Sequence, residues 1–379
     1  MSDRHSTMNY LVWASLSFLL ALPGVSVEDM HPPEPVRHMR LGYFPDGSDQ
    51  QPISEVVFPE TLEVLNFGKY FIQPIDGAVW PESLKKINFY SCFNCFNQPI
   101  VGVVWPRFLE TLALGGAFNQ PIVGVAWPAT LRQLELGRWF NQPVAEVAWP
   151  SSLEEIKFDG SFNQPIEEVV WPDSLLKVSV GFEFDQPIAD VAWPSSLQEV
   201  DFGVARIFNK PIVDVVWPAS LRKLRLGNSF NQPIAGVTWP PSLQELRLGI
   251  SFNQPVEGVV WPPALQLLQF GAVQSPGRFD QPISRVVWPP SLKILWLAGN
   301  FNRPIDEVDW PDSLEELRFG KRFDKPIDGV TWPPSLRYLD LGRAFTQSIF
   351  GVAWPESLLR LYYRGRPHRI IRGEPAVTG

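Results

Sequence analysis

The chain has 379 residues, of which 45% are apolar and 19% charged, with a formal net charge of -8 and a pI near 5.2. An acidic balance with no dominant basic face argues against nucleic acid as a partner, because the phosphate backbone demands clustered Lys and Arg. The composition agrees with a soluble repeat domain, and most of the 39 prolines prove to be periodic.

In chain order, residues 1–26 come first. Leu11 to Leu22 is a 12-residue apolar run followed by Pro23-Gly24-Val25-Ser26. The run is too short to span a bilayer comfortably, and with its small-residue flank it reads as a secretory signal peptide. That reading predicts a secreted or cell-surface protein. The alternative is a helix covering the exposed first turn of the domain that follows, in a cytoplasmic chain. Residues 27–50 hold the stiff segment His31-Pro-Pro-Glu-Pro35 and then Met39-Arg-Leu-Gly-Tyr-Phe44, a linker with a degenerate half-turn as N-terminal cap.

From residue 51 to residue 363 the sequence repeats. Trp-Pro occurs thirteen times between Trp80 and Trp354, usually 22 residues apart, in phrases such as Phe162-Asn-Gln-Pro-Ile166 followed by Val169-Val-Trp-Pro-Asp-Ser-Leu175. A period of that size means one short supersecondary unit stacked many times. The strictest column is the leucine after Trp-Pro, which runs from Leu62 to Leu358 through about 14 turns when Phe58-Pro59 is counted as the first. Three residues on comes Leu, Ile or Val, two further comes a second large apolar residue, and then usually Gly.

Alternation over x-Leu-x-Leu is the period-2 pattern of a short strand with one buried face. The next equivalent strand arrives too late for a hairpin, so the strands should pair in parallel along a solenoid. Phe118, Ile122, Val125 and Trp127 illustrate the other apolar columns, which bring the interior to seven positions per turn. Proline after Gln (Pro121) and after Trp (Pro128) fixes φ and removes donors, so the returning side should be extended with little helix. The Asn column (Asn119, Asn141, Asn163, with Asp185, Asp280 and Asp324) reads as a buried ladder, and the Ser column (Ser152, Ser174, Ser196) as a turn device. Insertions fall between the strand's end and the next Phe, at residues 90–95, 203–207 and 271–278.

The words Phe-Asn-Gln-Pro-Ile and Trp-Pro-x-Ser-Leu-x-x-Leu-x-Leu-Gly resemble the FNIP repeat, a family related to leucine-rich repeats, from Gln51 to about Tyr363. The resemblance implies a right-handed, gently curved solenoid used for protein interaction, in a family whose members mostly lack a known biochemical activity. Some relatives carry an F-box before the repeats, but residues 1–50 are too short and wrongly patterned for one plus a leader.

No catalytic, cofactor or metal constellation is evident. The four histidines, His5, His31, His38 and His368, all lie outside the regular turns, and Cys92-x-x-Cys95 supplies two ligands where a structural zinc needs four. A local disulfide or two idle thiols remain the readings of that pair. Function is therefore sought on the outward face of the strands. There one column reads Glu155, Lys177, Glu199, Lys223, Glu245, a ladder of opposite charges on neighbouring strands. Further on the outward positions become Leu267, Ile294, Trp296, Arg318, Tyr338 and Tyr362, aromatic and Arg anchors of the kind that make an interaction hot spot. These six are the candidate residues for a protein partner. The competing reading is a structural or cell-surface spacer with no single defined site. Residues 364–379 form a basic C-terminal tail, expected to be solvated.

Overall fold

The computed structural model describes residues 35–41, 52–68, 70–89, 95–203, 205–271, 277–297, 299–371 and 374–375. The expected signal peptide, most of the linker, Cys92 and the bulk of two insertions lie outside the described residues.

The protein is a parallel β solenoid of about 14 turns, with one short strand per turn. Its chain divides into two compact units, Met1–Phe140 and Asn141–Gly379. In the first, β1 (His38–Leu41), β2 (Val64–Phe67), β3 (Lys86–Phe89), β4 (Thr111–Ala113) and β5 (Gln133–Leu136) pair in parallel, each with the next. In the second, the parallel strands are β6 (Glu155–Phe158), β7 (Lys177–Ser179), β8 (Glu199–Asp201), β9 (Lys223–Arg225), β10 (Glu245–Leu248), β11 (Leu267–Phe270), β12 (Ile294–Trp296), β13 (Glu316–Arg318), β14 (Tyr338–Asp340) and β15 (Arg360–Tyr363). Their register places like columns opposite one another, as in Val178, Val200, Leu224, Leu246 and Leu268. The single helix among the described residues is a 3-10 turn at Ile53–Glu55.

One coil of the second unit shows why the sequence folds this way. Phe208, Ile212, Val215, Trp217, Leu221, Leu224 and Leu226 are all buried, so the seven apolar columns fill the coil's interior. Between them the backbone reverses at three tight turns. The amides of Val215, Leu221 and Phe230 donate to the carbonyls of Ile212 (3.3 Å), Pro218 (3.0 Å) and Gly227 (3.1 Å). The prolines thus sit where φ near -65° is wanted and where the lost N–H leaves no gap in a ladder.

Polar columns fasten each turn to the next. Asn163 Oδ1 accepts the amide of Asp185 at 2.9 Å, and Asn231 Oδ1 that of Asn253 at 2.8 Å. The glutamine that follows donates back to the preceding Asn, as Gln186 Nε2 does to the Asn163 carbonyl at 2.9 Å. At the far end of this ladder Asp324 accepts the Thr346 amide at 2.8 Å, and this bond together with that from Gln347 holds its carboxyl below the usual range. The ladder is not buried, however: Asn141 and Asn209 are exposed and Asn163, Asn231 and Asn253 half-buried. Its side-chain oxygens bond backbone amides on the rim of the coil, so burial is not required for the column to be strict. The serines staple adjacent coils, Ser174 and Ser196 donating to the carbonyls of Leu153 and Leu175, each at 2.7 Å.

The basic segment after Tyr363 is not simply a solvated tail. Arg364 and Gly365 both adopt positive φ (53° and 72°), and β16 (Arg366–Ile371) returns antiparallel along β15. A two-residue turn with both central residues left-handed is the type I′ geometry that matches strand twist. Its Arg-Gly sequence lacks the Asn or Asp that would have marked it. The Tyr363 ring stacks on His368 at 4.0 Å, and β17 (Glu374–Pro375) pairs in turn with β16. This hairpin covers what would otherwise be the open edge of β15.

Candidate functional site

The outward face of the second unit begins with the charge ladder. Strand register sets Glu155, Lys177, Glu199 and Lys223 side by side, with Lys177 Nζ 3.2 Å from Glu155 and 3.7 Å from Glu199. Burial works to lower the pKa of Lys177, but Glu155, Glu199 and Asp201 outweigh it and hold it above the usual value. Glu245 continues the alternation and is bonded by Arg225 (3.3 Å) and Arg247 (2.5 Å).

Beyond it the chemistry changes. One cross-strand column runs Leu267, Ile294, Glu316, Tyr338, Arg360, and the other Gln269, Trp296, Arg318, Asp340, Tyr362. Arg318 is held between two rings, its Cζ 4.9 Å from the Trp296 centroid and 4.6 Å from that of Tyr338. Tyr338 in turn stacks on Tyr362 at 5.2 Å. Glu316 locks the arrangement from one side: its Oε1 accepts both the Trp296 indole N–H and Arg318 Nε, each at 2.6 Å. Among the described residues, neither Nη atom of Arg318 meets an acceptor.

These side chains wall a cavity of about 310 Å³ where the sheet face meets the loops leaving the strands. Trp296, Arg318, Tyr338 and Tyr362 line it together, whereas Leu267 and Ile294 stand half-buried on the neighbouring column and do not. The wall also includes Gln269, Asp340, Lys321 and Arg343, none of which the outward pattern singled out as binding residues. Lys321 and Arg343 each follow the post-strand glycine, Gly320 and Gly342. A basic residue repeated in that register on neighbouring turns was the available signal.

Two groups in the wall titrate abnormally. Burial raises the Tyr338 phenol, against the pull of Arg318. Burial likewise raises the Asp340 carboxyl, although the Gly342 amide donates to it at 2.9 Å and Arg318 and Arg343 lie nearby. Because the folded-state value exceeds the unfolded one, Asp340 favours folding below about pH 4 and loses that contribution as pH rises through its folded pKa. Asp340→Asn should therefore raise the melting temperature at pH 7, with the gain shrinking as pH falls towards 4. Calorimetry at both pH values checks this, and a gain that grows on acidification would contradict it.

Among the described residues these contacts form no catalytic arrangement. The Ser column spends its hydroxyls on leucine carbonyls. Among the described residues there is no group of three or more His, Cys, Asp or Glu placed to hold a metal, and no helix is long and apolar enough to cross a membrane. Cys95 is disulfide-bonded.

Fold and face together define a leucine-rich-repeat-like β solenoid, a fold typical of non-enzymatic interaction scaffolds. The FNIP repeat model matches residues 50–92, 96–139, 140–182, 208–251, 230–273, 279–322 and 301–344, and the chain belongs to the FNIP-repeat family. Among solved structures it is similar to CroV588, described as a novel circular LRR protein, with 34% identity and a TM-score of 0.61 over 82% of this chain. This chain spans 50% of the length of CroV588. It also resembles YopM, a leucine-rich effector protein from Yersinia pestis, at 17% identity and a TM-score of 0.50, covering 81% of this chain and 78% of that one. A third likeness, at 14% identity and a TM-score of 0.51, is to a chain of the glycosylated Toll–Spatzle complex from Drosophila, over 80% of this chain and 41% of that one. The last two concern the fold alone. No curated protein matches the chain.

Proposed function

We propose that the chain is a non-enzymatic protein-interaction module that docks a partner protein on the exposed sheet face of its second unit, over β12 to β15. One observation carries the reading: Trp296, Arg318, Tyr338 and Tyr362 form a continuous ring–guanidinium–ring stack around a cavity, on a face whose other strands bear a neutralised charge ladder. Rigid aromatics and Arg beside a pocket are the residues that dominate interface energetics. The spacer reading asks only for regular turns and gives no role to this departure from the ladder. A secreted or cell-surface setting is part of the proposal, supported by the apolar leader and by a disulfide at Cys95, which suits an oxidising compartment. A cytoplasmic chain is the alternative.

The test is the double variant Trp296→Ala, Tyr338→Ala. Both side chains are half-buried outward residues, while Leu295 and Leu339 on the same strands form the core. Partner co-purification with a tagged chain is expected to be lost, with the thermal transition within a few degrees of the parent. Retained capture would favour the spacer, and a collapsed fold would place the rings in the structural core.

A further inference from the structure

We propose that the cavity between Trp296, Arg318, Tyr338 and Tyr362 is a carboxylate pocket that takes an aspartate or glutamate side chain from the partner protein. The inference rests on the docking face proposed above and names the chemistry that face recognises.

The guanidinium is the centre of the argument. It lies between the Trp296 and Tyr338 rings, and its Nε is committed to Glu316. The two ring contacts and the Nε bond together hold the group in place. What remains is the outer edge, where Nη1 and Nη2 have no acceptor among the described residues. Two parallel N–H donors on one planar edge match the two oxygens of a carboxylate. Preorganisation matters because an Arg already immobilised loses little further side-chain entropy on binding.

Charge selects among anions. Among the described residues, Arg318, Lys321 and Arg343 are the cations around the cavity, set against Asp340 in its wall and Glu316 behind Arg318. Three positive groups against two carboxylates leave a single unit of positive charge, which suits a monoanionic carboxylate better than a dianionic phosphate. Aromatic faces on both sides would cover the methylene stem of a Glu or Asp. The cavity of about 310 Å³ holds a side chain and flanking backbone rather than a folded element.

The experiment pans a library of random, end-blocked dodecapeptides against the full-length chain and measures the selected peptides by fluorescence polarisation. Peptides that depend on Trp296 and Tyr338 are expected to share an Asp or Glu. Exchange of that residue for Gln should weaken binding about tenfold or more, and phosphoserine in its place should bind more weakly than Glu. Arg318→Gln, which keeps a planar group between the rings, should cause the same loss, and the peptide exchange should then have no further effect on the variant. Should Arg318→Gln fail to fold, Arg318→Lys keeps the charge but not the fork, and is expected to lose most of the preference for Glu over Gln. Peptides that need Trp296 and Tyr338 but tolerate Gln, or prefer phosphoserine, would overturn the carboxylate pocket and leave the docking face standing. A library yielding no peptide dependent on those rings would overturn both.

Discussion

Gly249→Ala is expected to destabilise the second unit by about 3 kcal/mol or more, although it adds one methyl group to a chain of 379 residues. Gly249 follows β10, and a Cβ there would sit 1.8 Å from the Gly227 carbonyl oxygen, 2.7 Å from its carbon and 2.9 Å from Asn228 Cα. All three neighbours are backbone, so no side chain can swing aside to admit the methyl. Relief requires two coils to move apart where the amide of Phe252 bonds to Gly249 and that of Phe230 to Gly227. The control is Gly258→Ala, at a turn with φ +76° and no atom within 4 Å of the added carbon. Only the left-handed backbone resists there, at about 1 to 2 kcal/mol. Urea unfolding of the two variants, followed by tryptophan fluorescence, separates the effects, and equal losses would show that the close approach relaxes freely.

That glycine marks where legibility in the sequence ended. The strict Leu column, the alternation through Leu224 and Leu226, and the paired prolines are each set by the local period of one coil, and one coil can be read from one repeat. The Gly after each strand was visible as a column, but its cause was not. It is the contact with the turn before, as Gly227, Gly249 and Gly342 all place the missing Cβ against a backbone carbonyl one turn earlier. The Asn column misled in the opposite direction, because strictness suggested burial where a rim hydrogen bond to the next amide suffices. In the site, outward alternation found Trp296, Arg318, Tyr338 and Tyr362 on the strands. It could not find Lys321 and Arg343, which reach the cavity from loops where no strand period applies. Nor could it separate Leu267 and Ile294 from the pocket, since both outward columns look alike until the register and side-chain directions are known.

Phe252→Ala is the second large effect expected, at about 3 to 5 kcal/mol. The ring is fully buried and lies flat between Phe230 at 6.1 Å and Phe279 at 6.2 Å, with Phe270 at 6.0 Å closing the side. Truncation removes a contact on each face, and the void cannot collapse because the coil spacing is held by the strand ladder and the Asn bonds. The Trp column, though more conspicuous in the sequence, should matter less per residue. The Trp261 indole N–H meets no acceptor among the described residues, so Trp261→Phe sacrifices no hydrogen bond seen there and only part of the stack on Trp288, about 1 to 2 kcal/mol. Because each coil touches only its neighbours, the damage in Phe252→Ala should stay local. Hydrogen exchange is expected to accelerate from about residue 230 to residue 280 while the amides of Leu314 and Leu336, bonded to Pro311 and Pro333, keep their protection. Uniform acceleration through both stretches would mean that the second unit unfolds as one cooperative block, and that nearest-neighbour coupling is stronger than the stacked rings alone imply.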